Sequence, residues 1–405
     1  MEDLWRGPAF RRYLAADALS QAGTQVTLVA LPLTAVITLQ AGPFQLGVLT
    51  AAEMIAFLLI GLPAGVWVDR MRRRPILVAA DLVRAAALAS VPLAAVAGVL
   101  SLAQLYAVAL VTGVCTVFFD VAHMSFLPSI IAKRDLPRGI GALETLRGVA
   151  GVAGPGLGGW LAQLLTAPVA LLADAVSYLG SALLLRGVRT KESPAPPEAR
   201  RSLRAELAEG VRYVAGHPVL RRVAAVGALN MLANGVWAVV QPLFLIRHLG
   251  VGAGLYGLIL SGYAVGGVAG ALLAPKLTAR FGLGRAMYGG AVLASVFPLL
   301  LPLTGEGWRL AVYPLASALW LAAAMVFNVG QGSYRQAVTP DHLRGRMNAS
   351  MRFLMWSAMP FGGILGGLLA ERLAIGSMLW IACLIVTVAH APIYLTPSIG
   401  NLRAS

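Results

Sequence analysis

The sequence is 405 residues long, 58% hydrophobic and only 12% charged, and its mean hydropathy is +0.77. This excess of apolar residues excludes an ordinary soluble protein and predicts an integral membrane protein. The formal net charge of +15 would suggest nucleic acid binding if the basic residues formed one patch. They lie instead in alternate turns between apolar runs, so we predict no nucleic acid partner.

Twelve apolar runs have about the 20 residues that a helix needs to cross a bilayer. They lie at residues 12–39, 44–68, 75–97, 102–126, 139–165, 168–187, 220–246, 254–275, 285–304, 308–334, 346–371 and 376–396. Because Lys and Arg are retained inside during insertion, the alternation of basic and uncharged turns predicts that both termini are cytoplasmic. No cleavable signal peptide is visible. We therefore predict an all-α, multi-pass protein of the plasma (inner) membrane.

The runs divide into two pseudo-symmetric bundles of six helices. We predict an N-terminal bundle at residues 1–187, a cytoplasmic linker with a surface helix at 188–218, and a C-terminal bundle at 219–405. The linker contains a proline-rich stretch and then a charged helical piece, Ala199 to Ala215. The segment Leu46 to Leu49 recurs as Tyr256 to Ile259, which supports internal repetition. Two parallel halves of this kind are a layout of facilitator-type transporters.

The turn between spans two and three concentrates charge. It reads Gly65-Val-Trp-Val-Asp69-Arg-Met-Arg-Arg-Arg-Pro75, and it resembles the signature loop of the major facilitator superfamily. The matching residues are Gly65, Asp69, Arg70, Arg73 and Arg74, while Arg72 stands where that family usually has glycine. A carboxylate beside cations at a helix end can form a bistable contact, which is a gate. The alternative is that these arginines only set the topology.

Span five contains a second family signature. The segment Gly148 to Gly159 is rich in glycine around Pro155. It is similar to the span-five antiporter motif of facilitator exporters, with Gly141, Gly154, Pro155, Gly158 and Gly159 in register and Ala150 in place of one expected glycine. Small residues let helices approach closely in lipid, and proline favours a kink. We predict that Gly154 and Pro155 take part in gating. The alternative is a close-packed helix that has no bearing on the direction of transport.

Two further stretches narrow the resemblance to macrolide efflux proteins and enterobactin exporters. They are Phe118-Phe119-Asp120 with Leu127-Pro128, and Arg11-Arg12-Tyr13 leading to Ser20-Gln21-Ala22-Gly23. Thr24 stands where that branch often has an acid, and span four lacks the arginine of many drug–proton antiporters. These departures leave the coupling mechanism open.

Polar residues recur on one face of spans one, four, seven and ten, the spans that line the central cavity in the resembling family. The predicted substrate-binding residues are Gln21, Gln25, Phe119, Asn230, Asn234, Trp237, Gln241, Asn328 and Gln331. A spacing of four residues places Asn230 and Asn234 on one helix face. The alternative is that these amides cross-link helices by hydrogen bonds.

Acidic residues inside spans are costly and mark candidate proton sites. Glu53, near mid-membrane in span two, is the first candidate for the coupling carboxylate, with Asp120 and Asp17 as further candidates. Glu53 could instead be a neutral, hydrogen-bonded residue between helices. The remaining charged residues of the N-terminal spans, Asp81, Arg84, Glu144 and Arg147, are predicted to form an ion-pair network that closes the inner side. Asp174 receives no role.

Together these features predict a proton-coupled antiporter that exports hydrophobic or amphipathic drugs or secondary metabolites by alternating access. The alternatives are a dedicated exporter of one endogenous product, such as a siderophore, and a non-transporting receptor with the same fold. The expected partners are a small-molecule substrate, protons and the lipid bilayer, and the family default is a monomer. No phosphate-binding loop of the Gly-x-x-x-x-Gly-Lys-Ser/Thr type is present. We predict no nucleotide, cofactor, metal or enzymatic activity.

Overall fold

The computed structural model describes residues 4–188, residue 190 and residues 203–394. In this part of the chain the regular structure is helical. The first six long helices are α1 (Pro8–Leu33), α2 (Pro43–Arg70), α3 (Arg73–Val96), α4 (Leu102–Phe126), α5 (Leu136–Leu164) and α6 (Ala167–Arg186). They are followed by α7 (Leu203–Gly216), α8 (Pro218–Pro242), α9 (Ala253–Phe281), α10 (Leu283–Val296), α11 (Val312–Val338), α12 (Asp341–Trp356), α13 (Met359–Arg372), α14 (Ile375–Ala389) and the short α15 (Ala391–Tyr394).

Eleven helical segments within the described residues are long and apolar enough to cross a membrane. Helix α12 continues through two turn residues into α13, and the pair counts as one of these segments. The glycine-rich α5 has 29 residues and supplies the twelfth predicted span. The all-α membrane fold predicted from the sequence is confirmed.

The helix ends follow from local chemistry. Proline occupies one of the first two positions of α1, α2, α5, α6, α8 and α13, where no intrahelical partner is needed for its missing N–H. The Ser101 hydroxyl accepts a hydrogen bond from the Gln104 amide at 3.3 Å and caps α4. Gly282 takes a φ of +85° between α9 and α10, a conformation that favours glycine. A single residue can therefore connect these two helices.

The chain forms two compact units. The first contains Met1–Gln45, Ala52–Arg200 and Gly252–Leu258, and the second contains Leu46–Ala51, Arg201–Val251 and Ile259–Ser405. In the first unit, α1 packs on α5 and α6, and α3 packs on α4 and α6. Its apolar core includes Phe10, Leu77 and Phe126. Close approach of α1 and α5 depends on Gly158, since a Cβ there would lie 2.9 Å from Cα of Val26.

In the second unit, α8 packs on α13 and α14, α10 packs on α11, and α7 packs on α12. Its core includes Val223, Met287 and Met351. Residues 191–202 of the predicted linker lie outside the described residues. Helix α7 begins at Leu203 and is fixed to α12 by an ion pair between Glu209 and Arg346 at 2.8 Å.

Candidate functional site: a buried charge cluster and an amide-lined cavity

The first unit contains a cluster of buried charged residues drawn from four helices. Its members are Asp17 of α1, Asp81 and Arg84 of α3, His123 of α4 and Asp174 of α6, and each is 3% exposed or less. Ionisable groups are rare inside membrane proteins, because each one must find partners there. We call these five residues the charge cluster.

Asp17 pairs with a histidine that the sequence analysis did not select. His123 Nε2 lies 3.0 Å from Asp17 Oδ1. The imidazole ring is held between two aromatic rings, with centroid distances of 4.9 Å to Tyr13 and 5.5 Å to Phe119. The Tyr13 hydroxyl also donates to the His123 carbonyl at 2.9 Å. This packing fixes the imidazole beside the carboxylate.

Arg84 forms an ion pair with Asp81 on the same helix. Its guanidinium also lies between the rings of Phe119 and Tyr178, at 4.4 and 4.1 Å from their centroids. Such stacking suits the planar guanidinium and is stronger away from water. Phe119, predicted to bind substrate, is therefore buried against Arg84 and His123 in the core of this unit.

Asp174, which received no role from the sequence, accepts hydrogen bonds from two hydroxyl groups. Thr27 of α1 donates to one carboxylate oxygen, and Ser177 donates to the other at 2.9 Å. The neighbouring Tyr178 hydroxyl is 2.9 Å from that of Thr24 and 3.5 Å from Nη1 of Arg84. Polar contacts thus run from Asp174 and its neighbours on α6 to Arg84 on α3.

The second unit contains a cavity of about 200 Å³. Its walls bring together four of the predicted substrate-binding residues, Asn230, Asn234, Asn328 and Gln331. The sequence analysis did not place Tyr263, Met355 and His390 in the site, but they also line this cavity, together with Trp320 and Phe327.

The amide groups of this cavity are oriented by their own helices. The Asn230 side chain donates to the Val226 carbonyl at 3.0 Å, and Asn234 donates to the Asn230 carbonyl at 2.9 Å. Their amide oxygens remain available as acceptors. Trp237 stands against Trp320 in an edge-to-face contact with centroids 5.4 Å apart. The volume is below the roughly 300 Å³ of small ligand pockets, so it can hold one ring or chain of a larger compound.

A sequence profile described as "Transmembrane secretion effector" matches residues 5–399. The chain belongs to this family of major facilitator transporters. It is 28% identical over 386 residues to the multidrug efflux pump Tap of Mycobacterium tuberculosis (strain ATCC 25618 / H37Rv), covering 90% of this chain and 88% of that protein. It is 27% identical over 387 residues to the enterobactin exporter EntS of Citrobacter koseri, covering 91% and 87%.

Solved transporter structures share the fold. A bacterial homologue of the iron transporter ferroportin superposes with a TM-score of 0.79 at 18% identity, covering 99% of this chain and 100% of that chain. The nucleoside transporter NupG (D323A mutant) gives a TM-score of 0.77 at 13% identity, covering 96% and 100%. These likenesses concern the fold alone. The predicted resemblance to major facilitator exporters is confirmed.

The turn that resembles the facilitator signature, residues 65–75, lies only partly within the described residues. The side chain of Asp69 lies outside the described residues, Arg70 is exposed, and no atom lies within 4 Å of a Cβ built on Gly65. Arg74 donates through Nε to the Leu185 carbonyl at 3.0 Å, and through a second nitrogen to the Arg186 carbonyl. These carbonyls lie at the end of α6, where the helical hydrogen-bond pattern stops, and the Leu185 carbonyl also accepts from the Val188 amide at 3.1 Å. Arg74 therefore caps α6 from the start of α3.

The predicted inner network divides into local pairs. Glu144 and Arg147, at 3.3 Å, are 57% and 43% exposed, whereas Asp81 and Arg84 are buried. Each pair joins residues three apart on one helix, because that spacing brings side chains together on a helix surface. Asp120 on α4 is partly exposed.

The other predicted residues of α1, α2, α5 and α8 differ in burial. The Glu53 backbone packs on α4, and a Cβ at Gly113 would lie 3.3 Å from its carbonyl carbon. Among the described residues, the Glu53 carboxylate forms no hydrogen bond or ion pair. Gln25 packs on α5, since a Cβ at Gly154 would lie 2.9 Å from its Cγ. Gln21 and Gln241 are partly exposed, and Pro155 is buried inside α5.

Proposed function

We propose that this transporter exports hydrophobic or amphipathic compounds in exchange for protons, by alternating access. It acts as a monomer in the plasma (inner) membrane with both termini in the cytoplasm. Two six-helix domains, residues 1–187 and 219–405, carry the transport cycle. The topology is supported by the basic turns of the sequence, since Lys and Arg mark the cytoplasmic side.

The composition of the charge cluster is the observation that best supports proton coupling. Three carboxylates share one guanidinium and one imidazole, all buried. With every carboxylate ionised and His123 neutral, two negative charges would be uncompensated, and each buried ion costs several kcal/mol. Protons on His123 and on one carboxyl group would remove that excess. Uptake and release of protons would therefore change the charge of the packed core.

Asp17 and His123 are the coupling pair that we favour. They lie on different helices, α1 and α4, with their side chains 3.0 Å apart. A contact whose strength depends on protonation can bias the relative positions of two helices. Glu53 remains a second candidate, because its side chain is partly exposed and, among the described residues, its carboxylate forms no ion pair that would hold it in the charged form.

The substrate class is supported by the cavity of the second unit. Aromatic faces from Tyr263, Trp320 and Phe327 bind apolar groups and cations without strict geometry, and the four amides offer hydrogen bonds. Of the described residues that line this cavity, none is an Asp, Glu, Lys or Arg. Uncharged or weakly cationic amphipathic compounds fit such walls better than strongly anionic ones.

Uptake of a cationic dye into everted membrane vesicles under an imposed pH gradient tests the proposal. The parent should accumulate dye only with the gradient, and Asp17→Asn and His123→Gln should abolish this accumulation. The matched control is Asp341→Asn, which removes an 88% exposed carboxylate at the start of α12 and should leave the accumulation unchanged. If Glu53→Gln alone abolishes transport, coupling belongs to Glu53. Accumulation that is unaffected by the gradient would refute proton exchange.

A dedicated exporter of one endogenous product is the second candidate. The similarity to an enterobactin exporter over 91% of the chain favours it. A panel of dyes, antibiotics and siderophores separates the two candidates. Export of several unrelated compounds supports the broad range, and export of one compound supports the dedicated role.

A further inference from the structure

Two adjoining cavities in the first unit are lined by arginines. One, of about 640 Å³, is lined by Arg72, Arg74 and Arg186 above the aliphatic side chains of Val78 and Leu82. The other, of about 650 Å³, is lined by Arg12, Arg74 and Arg186. Since Arg74 and Arg186 line both, the two cavities form one basic recess where the starts of α1 and α3 meet the end of α6. We call this the arginine recess.

The backbone fixes part of this recess in place. Arg12 donates through Nη1 to the Gly187 carbonyl at 2.6 Å, so its guanidinium is anchored at the end of α6. Arg72 and Arg186 are exposed, and within the described residues they form no ion pair. Among the described residues, those that line the two cavities include no carboxylate. The positive charge of the recess is therefore suited to an anionic ligand.

An apolar groove begins where the recess ends. It has a volume of about 490 Å³ and is lined by Trp67 of α2, Met71 of the following turn, Ile76 and Val83 of α3, and Cys115 and Phe118 of α4. Pro75 lines both the groove and the recess. From Pro75 to Val83 the groove follows α3 for about 12 Å at the helical rise. One leaflet of hydrocarbon is about 15 Å thick, so the groove matches most of an acyl chain.

We propose that the arginine recess and the apolar groove form a binding site for an anionic phospholipid of the cytoplasmic leaflet. The phosphate lies among Arg12, Arg72 and Arg186, and an acyl chain lies in the groove along α3, beside the stacked rings of Trp67 and Phe118. Basic pockets between membrane helices on the cytoplasmic side have the charge that lipid phosphates need. The site is separate from the charge cluster and from the amide-lined cavity. A bound lipid would tie the start of α3 to the end of α6.

Thermal unfolding of the purified full chain in detergent tests the site. Phosphatidylglycerol is titrated against phosphatidylcholine with the same acyl chains, and the lipid concentration for half-maximal stabilisation is recorded. Arg72→Gln with Arg186→Gln should weaken phosphatidylglycerol binding roughly 30-fold, from the loss of two charges near the surface. The matched control is Arg280→Gln with Arg285→Gln, which removes two exposed charges at the turn between α9 and α10. That control should bind as the parent does.

Filling the groove tests the acyl chain separately. Ala79 lines the groove, and Ala79→Trp should weaken phosphatidylglycerol binding without a change of charge. Leu93→Trp, at an exposed position further along α3, should not. Stabilisation by phosphatidylcholine equal to that by phosphatidylglycerol would overturn the proposal. So would an equal loss of phosphatidylglycerol binding in the two double arginine variants. So would full stabilisation by inorganic phosphate alone, which would indicate a site for a free anion.

Discussion

Replacement of Arg84 by methionine is the sharpest test of the charge cluster. Methionine keeps an unbranched apolar side chain but removes the guanidinium that pairs with Asp81. Asp81 is fully buried, so it cannot regain solvation in the folded protein. The substitution also removes the stacking on Phe119 and Tyr178.

The expected cost follows from these contacts. Removing one partner of a buried ion pair typically costs about 3–5 kcal/mol, because the other charge stays buried without compensation. Each desolvated cation–π contact contributes up to about 2 kcal/mol, but these contributions overlap with the first and do not add. We therefore expect Arg84→Met to lower the free energy of unfolding by about 3–5 kcal/mol. The double variant with Asp81→Asn should recover at least half of the loss, since no carboxylate is then stranded.

Equilibrium unfolding in mixed micelles with increasing sodium dodecyl sulfate, near pH 8, measures this cost. The control is Arg134→Met, because Arg134 is 69% exposed and its pair with Asp135 spans 3.6 Å. Such surface pairs contribute at most about 1 kcal/mol. A loss below about 1 kcal/mol for Arg84→Met would refute the reasoning, as would a double variant less stable than the single one. Either result would mean that Asp81 does not need Arg84 in the folded protein.

Three further predictions concern single contacts. Thr27→Val should lower the free energy of unfolding by about 1–3 kcal/mol in the same assay, because the Asp174 carboxylate loses a donor from another helix. The control Thr112→Val should lower it less, since the Thr112 hydroxyl bonds only carbonyls of its own helix. Equal losses of stability in the two variants would contradict this. Gly158→Leu should lower the thermal unfolding midpoint by displacing α1 from α5. Gly151→Leu should be tolerated, because a Cβ at Gly151 meets open space. A larger fall of the midpoint in Gly151→Leu than in Gly158→Leu would exclude the proposed close approach of α1 and α5. His217 caps α8 by accepting from the Val219 and Leu220 amides at 3.3 Å, and partial burial lowers its pKa below the ordinary 6.5. The unfolded turn then binds the proton more readily, so the cap is fully formed above pH 6.5 and weakens as the pH falls. Hydrogen exchange at Val219 and Leu220, corrected for the intrinsic rate, should accelerate near pH 5 in the parent but not in His217→Asn; a parent whose corrected exchange does not change with pH would refute the cap.

The fold was predictable because it depends on properties that one segment carries by itself. Apolar length locates the helices, and charge in the turns sets their order across the membrane. The amide face of α8 was predictable for the same reason, since Asn230 and Asn234 are one helical turn apart. The cavity of the second unit accordingly contains residues selected from their spacing and from the spans that line the cavity in the resembling family.

The charge cluster was harder to predict because its members meet across helices. His123 and Asp174 lie in largely apolar runs, and no spacing within one helix indicates their partners on α1, Asp17 and Thr27. Asp17 shares its four-residue spacing with Gln21 and Gln25, yet it is buried against α4 while the two glutamines are only partly buried. Phe119 looked like a ligand contact because aromatic rings often are. Its partners proved to be His123, one helical turn further along α4, and Arg84 of α3, which spacing within α4 could not indicate.

Comparison of corresponding helices shows that this fold does not need the charge cluster for packing. Counted from the first residue of each helix, Asp17 of α1 corresponds to Gly227 of α8, and Asp81 and Arg84 of α3 correspond to Ala291 and Ala294 of α10. The two alanines are fully buried. Small apolar residues therefore fill in the second unit the positions that hold costly charges in the first. Since buried ion pairs are weak contributors to stability compared with apolar packing, the charges of the first unit are better explained by what they do during transport.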